Sequence, residues 1–138
     1  MAAILIVDDD PSVRMIATEM LRGSGHAIVE AEDGVEALGL MKHIPIDLLV
    51  LDMLMPNMDG IETIRAVRRK HPEARILAIS SGGRSDAEGY LKLALAFGAD
   101  AVMEKPLRLV SFASVIELLL KQSAVRNPIP THGVSSVG

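Results

Sequence analysis

The sequence has no cysteine and no tryptophan, and aromatic residues make up only 2% of its 138 residues. Without cysteine, the chain can form no disulfide, no thiolate zinc site and no cysteine nucleophile. So few aromatic side chains provide no platform for stacking bases, and acidic residues outnumber basic ones by 18 to 14, which leaves no basic patch for phosphates. We therefore expect no direct nucleic-acid binding.

Long hydrophobic runs are also missing. The apolar stretch over 2–7 is too short for a signal peptide or a transmembrane segment, and three aspartates follow it directly. We therefore expect no membrane association and a cytoplasmic location. At 49% hydrophobic residues the chain can still build a substantial core, and its length fits one domain.

Short apolar segments alternate with longer segments of helical period. The predicted strands are residues 3–7, 26–31, 47–51, 75–80 and 99–104, each followed by a predicted helix. Because the strands are apolar almost throughout and the alternation is strict, the sequence predicts a doubly wound α/β fold, in which helices cover both faces of a five-stranded parallel sheet.

Two features mark boundaries along the chain. Asp10 followed by Pro11 predicts the N-cap and first residue of a helix, and Asp86 is a candidate cap for the fourth helix. Residues 123–138 contain two prolines and show no hydrophobic period, so we expect a disordered tail or a linker stub there. The predicted domain is residues 1–122.

Reactive side chains stand at the carboxyl ends of four predicted strands: Asp8 and Asp9, Asp52, Ser80, and Lys105. Only the second strand lacks one, which suits an edge strand in the order 2-1-3-4-5 and makes the first and third strands neighbours. Three carboxylates would then converge across one crevice. Such carboxylates repel one another unless a cation is present, and Mg²⁺ is favoured because it prefers oxygen ligands and no histidine or cysteine cluster occurs.

This set of side chains is suited to phosphoryl transfer. Asp52 would attack the phosphorus atom. Mg²⁺ and Lys105 would neutralise charge on the transferring oxygens, and Ser80 would donate a hydrogen bond to one of them.

Four segments carry a resemblance to a known family: ILIVDDDPSVR, LVLDMLMPNMDG, ILAIS and EKPL. In this order and spacing, residues 2–122 resemble a response-regulator receiver domain of two-component signalling. The resemblance implies a flavodoxin-like receiver fold. It also implies a signalling domain rather than an enzyme, one that at most catalyses its own phosphorylation and dephosphorylation. The implied phosphodonor is a histidine kinase or a histidine phosphotransfer protein, and the output protein or domain is unknown.

The resemblance also implies a role for each site residue. Asp52 is the implied phosphoacceptor. Asp8 and Asp9 are implied to hold Mg²⁺ together with Asp52 and the backbone carbonyl of Leu54. Lys105 is implied to pair with the acyl phosphate, and its bond to the following proline is expected to be cis.

Two positions concern the conformational switch. Ser80 stands where the family has its switch serine or threonine. The matching switch position on the fifth strand is usually aromatic in the family, but here it is Val102. The resemblance therefore supports phosphoryl transfer more directly than it supports the usual aromatic switch.

Two other functions remain open. A degenerate receiver would act only as a protein-binding scaffold without phosphorylation, and Val102 is the residue that keeps this alternative open. A Mg²⁺-dependent phosphatase of the haloacid dehalogenase type would also use an aspartyl phosphate. That family needs a second acid two residues after the nucleophile, where this chain has Leu54.

The fifth helix is apolar over more than one stripe. Val115, Leu118 and Leu120 lie off the face that carries Phe112 and Ile116. This excess indicates either a partner surface or a surface covered by the tail. By resemblance, the face made by the fourth helix, the fifth strand and the fifth helix is a candidate site for homodimers or targets.

Overall fold

The computed structural model describes residues 1–54, 59–81 and 87–122. Strands and helices alternate along these residues as β1 Ala3–Val7, α1 Pro11–Met20, β2 Ala27–Ala31, α2 Gly34–Met41, β3 Leu48–Asp52, α3 Gly60–Lys70, β4 Arg75–Ser81, α4 Ala87–Phe97, β5 Ala101–Lys105 and α5 Leu109–Lys121. The expected cap Asp86 and the expected tail, residues 123–138, lie outside the described residues. None of the helices in the described ranges is long and apolar enough to cross a membrane.

The strands form one parallel sheet in the order β2-β1-β3-β4-β5. The predicted fold class and strand order are therefore confirmed. Among the three central strands, Val7 of β1 pairs with Leu51 of β3, and Asp52 of β3 pairs with Ile79 of β4. The strands β1, β3 and β4 thus reach the same edge of the sheet at nearly the same level, so the residues that end them become neighbours in space.

Two hydrophobic clusters lie on the two faces of the sheet. Leu5 and Val7 of β1 belong to the cluster under α2, α3 and α4, whereas Ile4 and Ile6 belong to the cluster under α1 and α5. Because side chains alternate along a strand, a strand covered by helices on both faces needs an apolar residue at every position. This requirement explains the unbroken apolar sequences that predicted the strands.

The fifth helix buries a wider face than the one predicted from Phe112 and Ile116. Val115, expected off the core face, is 6% exposed and packs in the same cluster as Phe112 and Ile116. Leu120 is half-buried against that cluster, whereas Leu118 is 52% exposed. The helix contacts α1 as well as the sheet, and this wider contact accounts for most of the apolar excess.

The spacing of Val35, Leu38 and Met41 predicts an apolar stripe on the second helix. Val35 is 61% exposed and Leu38 is half-buried, and the helix buries Gly34, Ala37 and Met41. These three residues are spaced by three and four positions, which also defines one helical face. In an eight-residue helix with five apolar side chains, the sequence pattern fits both faces.

Gly60, the first residue of α3, packs directly against the residue that follows β3. A Cβ atom on Gly60 would lie 2.6 Å from Sδ and 2.7 Å from Cα of Met53. Because that Cα cannot move without moving the end of β3, we expect Gly60→Ala to lower the free energy of unfolding by about 1 to 3 kcal/mol. Chemical denaturation measures this change.

Gly39 in α2 provides the matched control for this substitution. A Cβ atom there would meet no atom within 4 Å. We expect Gly39→Ala to raise the free energy of unfolding by about 0.5 to 1 kcal/mol, since alanine favours helix more than glycine does. If both variants were stabilised, the close approach of Gly60 to Met53 would be disproved.

Candidate functional site

Three carboxylates meet at the carboxyl edge of the sheet. Asp8 and Asp9 follow β1, and Asp52 is the last residue of β3. Each offers an oxygen atom, and these oxygens all lie within 4.8 Å of one another. Asp8 is fully buried and Asp52 is 4% exposed, whereas Asp9 is exposed. The cluster therefore has a buried floor and opens to solvent beside Asp9.

Hydrogen bonds fix the segment that follows β1. The N–H of Asp8 donates to the carbonyl of Ala31 at 3.1 Å, and Oδ1 of Asp8 accepts from the N–H of Asp10 at 2.9 Å. The carboxylate of Asp10 in turn accepts from the N–H of Ser12 at 2.8 Å, which confirms Asp10 as the N-cap of α1. Asp8 is thus held at its main chain and at one carboxylate oxygen.

Lys105, the last residue of β5, reaches two of the three acids. Its Nζ lies 2.9 Å from Oδ2 of Asp8 and 3.7 Å from Oδ1 of Asp52. The lysine side chain is only 19% exposed, so this pairing is poorly screened by water. The bond between Lys105 and Pro106 is cis, as the resemblance implies.

The three acids carry more negative charge than one lysine can balance. Burial, reinforced by the neighbouring Asp8 carboxylate, raises the pKa of Asp52 from 3.8 to about 6. Lys105 and the N–H of Leu54, which lies 3.3 Å from Oδ1 of Asp52, act in the opposite direction but do not cancel this rise. A bound divalent cation would supply the missing positive charge, and carboxylate oxygens are the ligands that hard cations prefer. The acidic cluster therefore fits a divalent metal ion.

Ser80 lies at the same edge of the sheet, on β4. It follows Ile79, the pairing partner of Asp52, and it is fully buried. Within the described ranges, its Oγ has no hydrogen-bond partner. A buried hydroxyl without a partner costs stability, so the Oγ of Ser80 is an unsatisfied polar group on the strand next to the one that carries Asp52.

Val102 occupies a buried position on β5. It is 8% exposed, pairs with Ala78 of β4 and belongs to the core cluster under α2, α3 and α4. An aliphatic side chain at this position has no ring that could turn between the core and the surface. The structure therefore gives this chain no aromatic switch at Val102.

One residue near the crevice was given no role by the sequence. Arg14 of α1 donates from Nη1 to the carbonyl of Asp8 at 2.6 Å, and its Nε pairs with Glu30 of β2 at 3.0 Å. Arg14 lies within the segment ILIVDDDPSVR, but nothing in that pattern indicates that a helical arginine returns to the end of the preceding strand.

The fold and the crevice together define a class of protein: a doubly wound α/β domain with an acidic, cation-compatible cluster and a lysine at its carboxyl edge. The response regulator receiver domain family matches residues 4–117. The chain belongs to this family. Receiver domains are signalling domains that act with histidine kinases and output domains.

Curated relatives agree with this assignment. The chain is 35% identical over 123 residues to the transcriptional regulatory protein CpxR of Escherichia coli (strain K12), and 34% identical over 121 residues to the response regulator MprA of Mycobacterium sp. (strain KMS). These matches cover 89% and 88% of this chain but 51% of each relative, so the chain spans about half the length of these regulators. A match of 31% identity with the sensor kinase CckA of Brucella abortus covers 88% of this chain and 13% of the kinase.

Solved structures show the same fold. The receiver domain of NtrX from Brucella abortus has a TM-score of 0.80 and 29% identity, over 87% of this chain and 99% of that chain. The chemotaxis protein CheY4 of Vibrio cholerae has a TM-score of 0.75 and 28% identity, over 86% of this chain and 98% of that chain. Each match thus covers nearly the whole of the neighbour's chain.

Proposed function

We propose that this receiver domain accepts a phosphoryl group on Asp52, from the phosphohistidine of a histidine kinase or a histidine phosphotransfer protein. The observation that carries the proposal is the position of the Asp52 carboxylate, which is 4% exposed, close to two other carboxylates and 3.7 Å from the ammonium group of Lys105. An isolated buried carboxylate would be costly without such a setting. A perturbed acid beside a specific charge partner is typical of a functional site.

The proposed transfer is a displacement at phosphorus. An oxygen of the Asp52 carboxylate forms a bond to the phosphorus atom while the bond from phosphorus to the donor's imidazole nitrogen breaks, and the electron pair of that bond stays with the imidazole. Lys105 neutralises charge on a phosphoryl oxygen. The hydroxyl of Ser80 donates to another such oxygen, which its lack of a partner among the described residues supports.

We propose that Mg²⁺ is held by Asp8, Asp9, Asp52 and the backbone carbonyl of Leu54. Bound Mg²⁺ would neutralise negative charge on the phosphoryl oxygens. The support from this chain is its oxygen-only set of side chains and the excess negative charge of the crevice.

Phosphorylation would change the interactions of the domain, because an acyl phosphate adds charge at the edge of the sheet. We propose that the face made by α4, β5 and α5 engages a second copy or an output protein. Support comes from exposed apolar side chains on the two helices, namely Leu93 on α4 and Leu118 on α5. We place this activity in the cytoplasm.

The scaffold function is the second candidate, and Val102 is the observation that favours it. Without an aromatic ring at this position, phosphorylation has one fewer way to change the surface. The three acids and Lys105 argue against the scaffold function, because a scaffold has no need for a costly buried cluster of charges. The phosphatase alternative is weaker still, since Leu54 stands where its second acid is needed.

Intact-mass measurement after incubation with a small phosphodonor tests the proposed function. We expect acetyl phosphate or phosphoramidate, with Mg²⁺, to add one phosphoryl group that is stable in acid and labile in base. Asp52→Asn and addition of EDTA should each abolish the adduct, because one removes the acceptor and the other removes the cation.

Asp59→Asn is the matched control, since it changes a carboxylate that caps α3 outside the crevice. Asparagine caps a helix about as well as aspartate, so this variant should be phosphorylated like the wild type. An adduct that persists in Asp52→Asn would contradict the proposal, and so would the absence of an adduct both from these two donors and from a phosphorylated histidine phosphotransfer protein.

A further inference from the structure

Arg14 connects three elements around the start of the acidic crevice. It belongs to α1, its Nη1 donates to the carbonyl of Asp8 just after β1 at 2.6 Å, and its Nε pairs with Oε1 of Glu30 in β2 at 3.0 Å. The arginine side chain is only 18% exposed. Two contacts through different nitrogens fix both the position and the plane of a guanidinium group.

The carbonyl that Arg14 holds belongs to the peptide unit between Asp8 and Asp9. A peptide unit is planar, so fixing its carbonyl also sets the direction in which the chain enters Asp9. The carboxylate of Asp8 has its own ties, to the N–H of Asp10 and to Lys105. In the described part of the chain, no hydrogen bond or ion pair fixes the exposed carboxylate of Asp9, so its direction depends on the main chain.

The positive charge of Arg14 is largely balanced by Glu30, whose Oε1 lies 3.0 Å from the arginine Nε. The crevice therefore experiences little net charge from this pair. The influence of Arg14 on the acids is therefore geometric more than electrostatic. This distinction makes different predictions for lysine at position 14, which keeps the charge but has no planar fork that can reach two partners at once.

We propose that Arg14 is a positioning residue of the crevice: it holds the peptide between Asp8 and Asp9 so that both carboxylates face Asp52, and it thereby sets the affinity for a divalent cation. This inference rests on the proposed function, in which these carboxylates bind Mg²⁺. Residues that orient metal ligands from outside typically change metal affinity by about 10- to 100-fold when they are replaced.

Titration with Mn²⁺ alone, followed by the electron paramagnetic resonance signal of the free ion, tests the inference without any phosphodonor. We expect Arg14→Met to weaken Mn²⁺ binding by about 10- to 100-fold. Arg14→Lys should weaken it nearly as much, although it keeps the charge. Glu30→Gln, which keeps a side chain of the same shape and removes the balancing charge, should have a smaller effect.

Arg22→Met is the matched control, because Arg22 follows the same helix and pairs with Glu19 rather than with the crevice. It should leave Mn²⁺ affinity unchanged. Thermal unfolding of each variant separates the roles, since a residue that only stabilises the fold would lower the melting temperature without changing the affinity of the folded protein. If Arg14→Met does not fold, Arg14→Lys alone decides the outcome.

The possible failures are distinguishable. If the wild type binds Mn²⁺ and Arg14→Met or Arg14→Lys binds it equally well, the positioning role is overturned and the proposed function stands. If Arg14→Lys restores affinity lost in Arg14→Met, the role is electrostatic and the inference is again overturned. If the wild type itself binds no Mn²⁺, the cation site of the proposed function fails.

Discussion

Replacing Asp52 with asparagine should stabilise the cation-free protein at pH 7 by about 2 to 3 kcal/mol. Burial and the Asp8 carboxylate raise the pKa of Asp52 from 3.8 to about 6. One unit of pKa corresponds to roughly 1.4 kcal/mol between the two protonation states. Keeping this carboxylate ionised in the crevice at neutral pH therefore costs folding free energy, and a neutral amide of similar shape removes that cost.

The sign of the pH dependence follows from the raised pKa. Asp52 ionises near pH 4 in the unfolded chain but near pH 6 in the folded protein. Its favourable contribution, the folded state's preference for the protonated acid, is fully present below about pH 4 and is lost as the pH rises through 6. The advantage of Asp52→Asn over the wild type should therefore be absent at pH 4 and complete above pH 6.

Urea denaturation in EDTA at pH 4 and at pH 7 measures the difference in stability between Asp52→Asn and the wild type. Taking this difference removes the contributions of all other titrating groups. Added Mg²⁺ should narrow the gap at pH 7, because a cation that binds only the folded wild type stabilises it. Asp59→Asn is again the control, and its effect on stability should not depend on Mg²⁺. If Asp52→Asn were no more stable at pH 7, or gained the same stability at pH 4, the electrostatic cost assigned to Asp52 would be refuted.

The sequence predicts well which side chains cluster, because their clustering is a consequence of the topology. Once the apolar strands indicate a parallel sheet, the strand-end residues Asp8, Asp52 and Lys105 must share one edge. In the structure, Nζ of Lys105 lies 2.9 Å from Oδ2 of Asp8 and 3.7 Å from Oδ1 of Asp52. The side-chain chemistry then needs little further information, since each reactive residue is adjacent in sequence to a strand that the hydrophobic pattern reveals.

The sequence does not predict contacts that join distant parts of the chain through single side chains. Two examples are the hydrogen bond from Arg14 to the carbonyl of Asp8 and the ion pair between Arg68 and Asp100. Neither contact leaves a periodic signal in the sequence, because an arginine can reach many acceptors. The predicted position of Val35 on the core face of α2 was also wrong, since the many apolar residues of this helix fit more than one face. Such details depend on packing against neighbours, which sequence periodicity does not contain.

Arg68 and Asp100 form a largely buried charge pair that the sequence did not predict. The pair lies at the amino ends of β4 and β5, at the opposite end of the strands from the acidic crevice. Asp100 is fully buried, and its Oδ2 accepts from Nη2 of Arg68 at 2.7 Å and from the N–H of Ile76 at 2.8 Å. Arg68 also donates to the carbonyls of Gly98 at 2.9 Å and Ala74 at 2.6 Å. One arginine thus joins α3 to the segments that begin β4 and β5.

Replacing Asp100 with alanine should be strongly destabilising, by about 3 to 5 kcal/mol, because it leaves a partly buried guanidinium and a buried N–H without the acceptor they share. Asp100→Asn keeps an acceptor oxygen but no charge, so we expect about half of that loss. Glu19→Ala is the control, since it breaks an exposed pair with Arg22 and should not shift the denaturation midpoint.

The position of this pair separates stability from function. Because Asp100 lies at the opposite end of the sheet from Asp52, the folded fraction of Asp100→Asn should bind Mn²⁺ and accept phosphate like the wild type. Urea midpoints give the stability and the Mn²⁺ titration gives the affinity of the same samples. If Asp100→Ala unfolds no more easily than Glu19→Ala, the pair contributes no net stability. A changed Mn²⁺ affinity in folded Asp100→Asn would instead show that the two ends of the sheet are coupled.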